Sequence, residues 1–254
     1  MNGITKFNNY SVEKIQRLKT GVEGLDKLIE GGLPKNSITL ISGPPGGGKS
    51  IFCFQFLYEG VKNGEKCLFL TLDKQVEGIL IQAKNLGFDF QPAIEKNIAK
   101  FLYLNIAKKF VYEAMTNEIL SGQYSRIVLD SITPLSEMPI FIRNTEDIGL
   151  NNDILDIENV PEGLSLPTRR LHLRFIMSAL ESSKSTAVVT SELPVGSSLL
   201  SRDGISEFIA DGVITLSYDP TMDRRKLSII KMRNTKHSLK PHDIIIDNGG
   251  IKVL

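Results

Sequence analysis

The chain has no tryptophan, only two cysteines and three histidines, and no excess of charge of either sign. It also lacks any apolar run near the roughly 18–20 residues needed to span a bilayer, which leaves no membrane-spanning helix to expect. Cys53 and Cys67 have no CxxC spacing and lie in apolar stretches. They read as reduced core residues of an intracellular protein, with a disulfide between them as the alternative. His172, His237 and His242 lack the spacing of a metal-ligand set, so a histidine metal centre finds no support. Thirty Lys and Arg against 29 Asp and Glu give a net charge of +1. That balance removes any global electrostatic case for nucleic acid or an anionic membrane. The opening stretch, MNGITKFNNYSVEKIQRLKTG, shows no apolar core of a secretory signal, and the expectation is a soluble, cytoplasmic protein.

What is present is ordinary globular material: 254 residues, 41% hydrophobic and 23% charged, enough for one large α/β domain. Residues 1–18 are polar and read as an arm with a short helix over 12–18; residues 19–254 form the domain. Short apolar runs at 37–42, 66–72, 126–130 and 185–190 alternate with helical patterns at 49–62, 76–86, 111–120 and 169–183. A further short strand is expected at 101–105. After residue 210 only strand patterns remain. Asp219-Pro220 opens a turn between two of them, and Asn248-Gly249-Gly250 is a hairpin signal. The expected fold is a mainly parallel sheet flanked by helices and extended by antiparallel C-terminal strands. Residues 134–167 are too long for a simple connection. They carry Glu146, Asp147, Asp153, Asp156, Glu158 and Glu162, and read as an acidic, solvated insertion, with a gating loop as the alternative.

The strongest chemical signal is Gly43-Pro44-Pro45-Gly46-Gly47-Gly48-Lys49-Ser50, which fits G-x-x-x-x-G-K-[ST] between a strand and a helix. Glycines let backbone N–H groups turn inward as an anion nest, and the helix N-terminus adds the positive end of its dipole. The nest runs on to Ile51. Lys49 is placed to neutralise the β- and γ-phosphates of ATP, and Ser50 to hold Mg²⁺ through its hydroxyl. Asp130, at the end of an apolar strand, is the expected second Mg²⁺ ligand.

Several separated segments then resemble the KaiC-type ATPases of the RecA superfamily. They are TGVEGLDKLIEGGLPKNSITLISGPPGGGKS, VLDSITP, STAVVTSE, EFIADGVITL and KMRNTKHSLKPHDIIIDNGGIKV. The nearest type is the single-domain KaiC-like proteins and the RadA paralogues of archaea. The resemblance implies a RecA-like P-loop core with ATP at the subunit interfaces of a homo-oligomer, a ring such as a hexamer or a filament. It implies that Lys231 and Arg233 reach the γ-phosphate held by a neighbouring subunit. It places Thr235, His237 and Asn248 near the nucleotide's sugar and base. Asn234 stands where the family usually has glycine, a position asparagine tolerates. Thr190 and Ser191 end a strand from which γ-phosphate can be sensed.

One departure bears on rate. Where the family usually shows two consecutive glutamates, this chain has Asp73-Lys74. Asp73 is the candidate to activate water, but its carboxylate is one methylene shorter, and a misplacement of about 1 Å can cost on the order of a hundredfold. Glu192 is a second carboxylate at the same end of the sheet. The expectation is secure ATP binding with slow turnover, in an ATP-dependent oligomeric switch. The second choice is a RadA-like DNA-binding ATPase. Against it, the acidic insertion repels phosphate, and the segment after Ser191 offers only Arg202.

Overall fold

The computed structural model describes residues 15–106, 111–137 and 165–254. The chain enters through β1 (Arg17–Leu18), α1 (Leu25–Leu28) and β2 (Leu33–Pro34), where β1 and β2 pair antiparallel. The short helix expected over 12–18 therefore ends as a strand, because Arg17 and Leu18 find backbone partners across the turn; residues 1–14 lie outside the described residues. Then come β3 (Ile38–Gly43), α2 (Lys49–Lys62), β4 (Cys67–Thr71), α3 (Val76–Asn85), α4 (Gln91–Glu95) and β5 (Ala99–Tyr103). They are followed by α5 (Val111–Ser121), β6 (Arg126–Asp130), α6 (Thr133–Glu137), α7 (Ser165–Ser182) and β7 (Thr186–Glu192). The chain closes with α8 (Ser206–Ile209), β8 (Gly212–Asp219), β9 (Arg224–Met232), β10 (His242–Asp247) and β11 (Gly250–Val253). Helices occupy both ends of the expected insertion, at Thr133–Glu137 and from Ser165; its acidic middle lies outside the described residues.

Nine strands form one sheet in the order β11-β10-β9-β8-β3-β7-β6-β4-β5. The pairs from β8 through β3 to β5 are parallel, and those from β8 to β11 antiparallel, as the strand-only C-terminus predicts. Period-two alternation divides each parallel strand between two cores. Cys67, Phe69, Val128, Val188 and Ile41 face the layer that contains α2. Leu68, Leu70, Ile127, Leu129, Ala187 and Leu40 face the layer of α5 and α7. Parallel register brings the C-terminal ends level, with Gly43 opposite Glu192 and Thr71 opposite Asp130. That is the edge where open α/β sheets bind ligands.

Arg126 is a fully buried cation at the other end of β6. Its guanidinium donates to Lys19 O (2.7 Å) and Phe56 O (2.8 Å), pairs with Glu65, and lies 4.7 Å from the Phe56 ring centre. A cation is tolerated inside only when its donors are matched in this way. Gly60 makes room for it, since a Cβ there would lie 2.6 Å from Arg126 Cδ and Nε. Gly60→Ala should therefore lower the melting temperature by roughly 4–8 °C through overpacking beside a fixed cation. Calorimetry showing no shift would mean that the guanidinium yields freely.

Candidate functional site

β3 ends in Gly43, and the loop to Gly48 turns the chain into α2. Gly43 sits against β8: a Cβ there would meet Leu216 O at 2.5 Å. Gly48 caps α2 at φ +105°, a left-handed conformation that side chains resist. The helix therefore begins with its free N–H groups facing the sheet's C-terminal edge. Lys49 is buried, and its Nζ donates to Gly43 O (2.9 Å) and Pro44 O (3.1 Å), which curls the ammonium back over the loop. Burial lowers its pKa, and the nearby Glu192 and Asp130 carboxylates oppose that shift.

Asp130 receives two hydroxyls. Ser50 Oγ donates to Oδ2 at 2.8 Å, and Thr190 Oγ1 donates to Oδ1 at 2.5 Å. Asp73 stands two residues past the end of β4, where Ser131 Oγ donates to its Oδ2 at 3.1 Å. Partial desolvation raises the Asp73 pKa; the Ser131 bond opposes this, and the Glu192 and Asp130 charges reinforce it. A cleft of about 240 Å³ opens over this row. Pro45, Gly46, Gly48, Lys49, Ser50 and Ile51 form one wall, while Asp73, Lys74, Asp130 and Glu192 form another. The structure thus brings together the loop residues, both expected Mg²⁺ ligands and the candidate base.

The donor set suits Mg²⁺. That ion takes one or two protein oxygens and fills its octahedron with phosphate and water. One carboxylate and one hydroxyl, 2.8 Å apart beside an anion nest, meet this requirement. No group of three or more His, Cys, Asp and Glu among the described residues resembles an all-protein metal cage.

The remaining candidates lie outside this cleft. Lys231 Nζ donates to Glu207 O (3.1 Å), Phe208 O (3.4 Å) and Ala210 O (2.5 Å), occupying the ammonium with the carbonyls at the end of α8. Arg233 is more exposed and pairs with Asp211 at 3.1 Å. Thr235 accepts from Arg17 Nη1 at 2.9 Å. Asn234 is left-handed, with φ +56°, the geometry its glycine-like position requires. His237 Nδ1 is buried with no hydrogen-bond partner among the described residues. Asn248 is in the β10–β11 turn, with its carbonyl 3.1 Å from where a Cβ on Gly87 would be.

Three residues at or near the site were not singled out from the sequence. Ser131 holds Asp73, Gln55 ties α2 to β11, and Arg17 joins β1 to the loop after β9. Ser131 had a signal, since it follows the strand-end Asp130. The other two had none, because the contacts that tie them to β11 and to the loop after β9 span 196 and 218 residues.

A strand, a glycine loop, and a helix opening on Lys-Ser beside a strand-end aspartate define a P-loop nucleotide-binding protein on a RecA-type sheet. The chain belongs to the KaiC ATPase family, whose model matches residues 18–145 and 154–254. It is 31% identical over 247 residues to a UPF0273 protein of Methanocaldococcus jannaschii, covering 94% of this chain and 96% of that one. The circadian clock oscillator protein KaiC of Picosynechococcus is 27% identical over 260 residues; this chain is matched in full but spans only 47% of KaiC. The crystal structure of a KaiC-like protein from Pyrococcus horikoshii OT3 superposes with a TM-score of 0.74 at 29% identity, covering 95% of this chain and all of that one. No helix among the described residues is long and apolar enough to cross a membrane.

The different bonding of the two cations is testable. Lys231→Met should lower stability by about 1–2 kcal/mol by stranding carbonyls at the end of α8, whereas Arg233→Ala should change it by less than about 0.5 kcal/mol. Equal unfolding midpoints in urea for both variants would show that Lys231 does not hold α8.

Proposed function

We propose that this protein binds ATP with Mg²⁺ in the cleft at the C-terminal edge of its sheet, turns it over slowly, and uses the nucleotide state to set its own assembly. The bonded row Ser50–Asp130–Thr190 beside Lys49 is the observation that carries this reading. The backbone N–H groups of the loop and the first turn of α2 would receive the β-phosphate, with Lys49 released from Gly43 O and Pro44 O toward the phosphate charge. Ser50 and Asp130 would hold Mg²⁺, which when bound neutralises charge on the phosphate oxygens.

Asp73 is the candidate base for the attacking water, with Glu192 on the same wall. Ser131 holds the Asp73 carboxylate against β6, and the side chain is a methylene shorter than the glutamate usual in the family. Both features support a base held back from the reacting centre and hence slow turnover. Assembly would bring Arg233 to a neighbour's γ-phosphate, in exchange for its exposed pair with Asp211. Lys231, bonded to the end of α8, would hold the platform from which Arg233 reaches.

Nucleotide titration and steady-state ATPase assays test this. Lys49→Ala should weaken ATP binding by roughly a hundredfold or more. Asp73→Ala should slow turnover further, and Asp73→Glu should speed it by restoring reach. If Asp73→Ala turns over like wild type while Lys49→Ala is dead, Asp73 is not the base.

The pH profile gives a further check. A base must be ionised, and the Asp73 pKa is raised. Turnover should therefore fall on acidification from a higher pH than an exposed aspartate would give, and Asp73→Ala should lack that limb. An unchanged limb in the variant assigns it to another group.

Light scattering tests assembly. ATP with Mg²⁺ should raise the particle mass in wild type and not in Arg233→Ala. The same mass with and without nucleotide would remove the switch.

A further inference from the structure

Gln55 follows Gly48 by two helical turns and so lies on the same face of α2. It is 3% exposed, which is unusual for a glutamine. Its amide is nearly saturated. Nε2 donates to Gly21 O at 3.1 Å and to Ile251 O at 3.0 Å, and Oε1 accepts from Ile251 N–H at 2.7 Å. Both donors and one acceptor position are in use.

The partner matters. Among the described residues β11 is the outermost strand of the sheet, and its outer edge meets only an isolated bridge from Glu23 to Lys252. Gln55 supplies the missing N–H and C=O to Ile251, and Glu23 O accepts from Val253 N–H at 2.9 Å. The Ile251 side chain turns to the other end of the same helix face. A Cβ on Gly48 would lie 3.2 Å from Ile251 Cδ1 and 3.2 Å from Ile246 Cδ1. One residue, Ile251, is therefore pinned by its backbone to Gln55 while its side chain fills the space beside the last glycine of the phosphate loop. Gly48 is also the left-handed residue through which the loop enters α2.

We propose that Gln55 is a positioning residue for the phosphate site. Through β11 it holds Ile251 and Ile246 against Gly48, and so holds the loop in its anion-binding shape before any phosphate arrives. A loop already ordered loses less entropy on binding than one that must be ordered by its ligand. The inference rests on the nucleotide-binding reading. Because the brace acts on the loop, it serves ATP and ADP alike.

The test is the dissociation constant for Mg-ATP and Mg-ADP, measured at 15 °C on variants shown to be folded by circular dichroism. Gln55→Leu removes the amide at similar volume. Ile251→Ala keeps the backbone pairing and removes the contact with Gly48. Both should weaken both nucleotides by about tenfold. Leu180→Ala, in the core layer on the other side of the sheet, is the stability control. It should lower the melting temperature yet leave both constants within twofold of wild type. If Gln55→Leu does not fold, Ile251→Ala alone decides. Constants within twofold of wild type in the folded brace variants would overturn the proposal, as would weakening of ATP alone. Equal weakening in Leu180→Ala would reduce the effect to general stability and overturn it too. Failure of the wild type to bind either nucleotide would overturn the parent reading, an outcome distinct from these.

Discussion

The Asp130 carboxylate joins three elements that are far apart in the chain. Ser50 from the first turn of α2 and Thr190 from β7 both donate to it, at sequence separations of 80 and 60 residues. A partly buried carboxylate needs such donors, since its charge has lost much of its water. Meeting that need fixes the end of β6 against β7 and against the start of α2. The cleft exists because these ends are level, and they are level because parallel register aligns β3, β7, β6 and β4. The Lys49 ammonium completes the arrangement, buried beside two carbonyls, with Asp130 and Glu192 opposing only part of its desolvation.

On this frame the candidate residues are held in different ways. Asp73 accepts a hydrogen bond from Ser131, so the candidate base is tied to the residue after β6. Lys231 and Arg233, two residues apart at the end of β9 and just past it, are bonded differently. The first is surrounded by carbonyls, and the second keeps a solvent-facing pair that is cheap to exchange. The antiparallel extension is also more than an ornament on the core. It supplies β9, which carries Lys231 and is followed directly by Arg233, and β11, which backs the phosphate loop.

How much of this the sequence showed depended on how local the cause was. The loop from Gly43 to Ser50, the strand-end Asp130 and the hairpin at Asn248-Gly249-Gly250 were legible, since each is a run of residues whose backbone needs are met nearby. The small helix α4 was not anticipated, although Asp89 accepts from Gln91 N–H and Pro92 lies in its first turn. At five residues it is too short to show a helical period. The strand at 99–103 was expected two residues later, an error of the size that element ends allow.

The sequence by itself determined the alternation of strands and helices, the glycine loop with its Lys49-Ser50, and the aspartate at the end of β6, because those follow from residue types at fixed short spacing or at the end of an apolar run. Only the tertiary structure decided which polar groups share a partner. Arg126 meets Lys19 and Phe56, Gln55 meets Ile251, Arg17 meets Thr235, and Ser131 meets Asp73. A buried donor must find an acceptor wherever the fold brings one. That match is a property of the whole packing, and no stretch of sequence around either partner contains it.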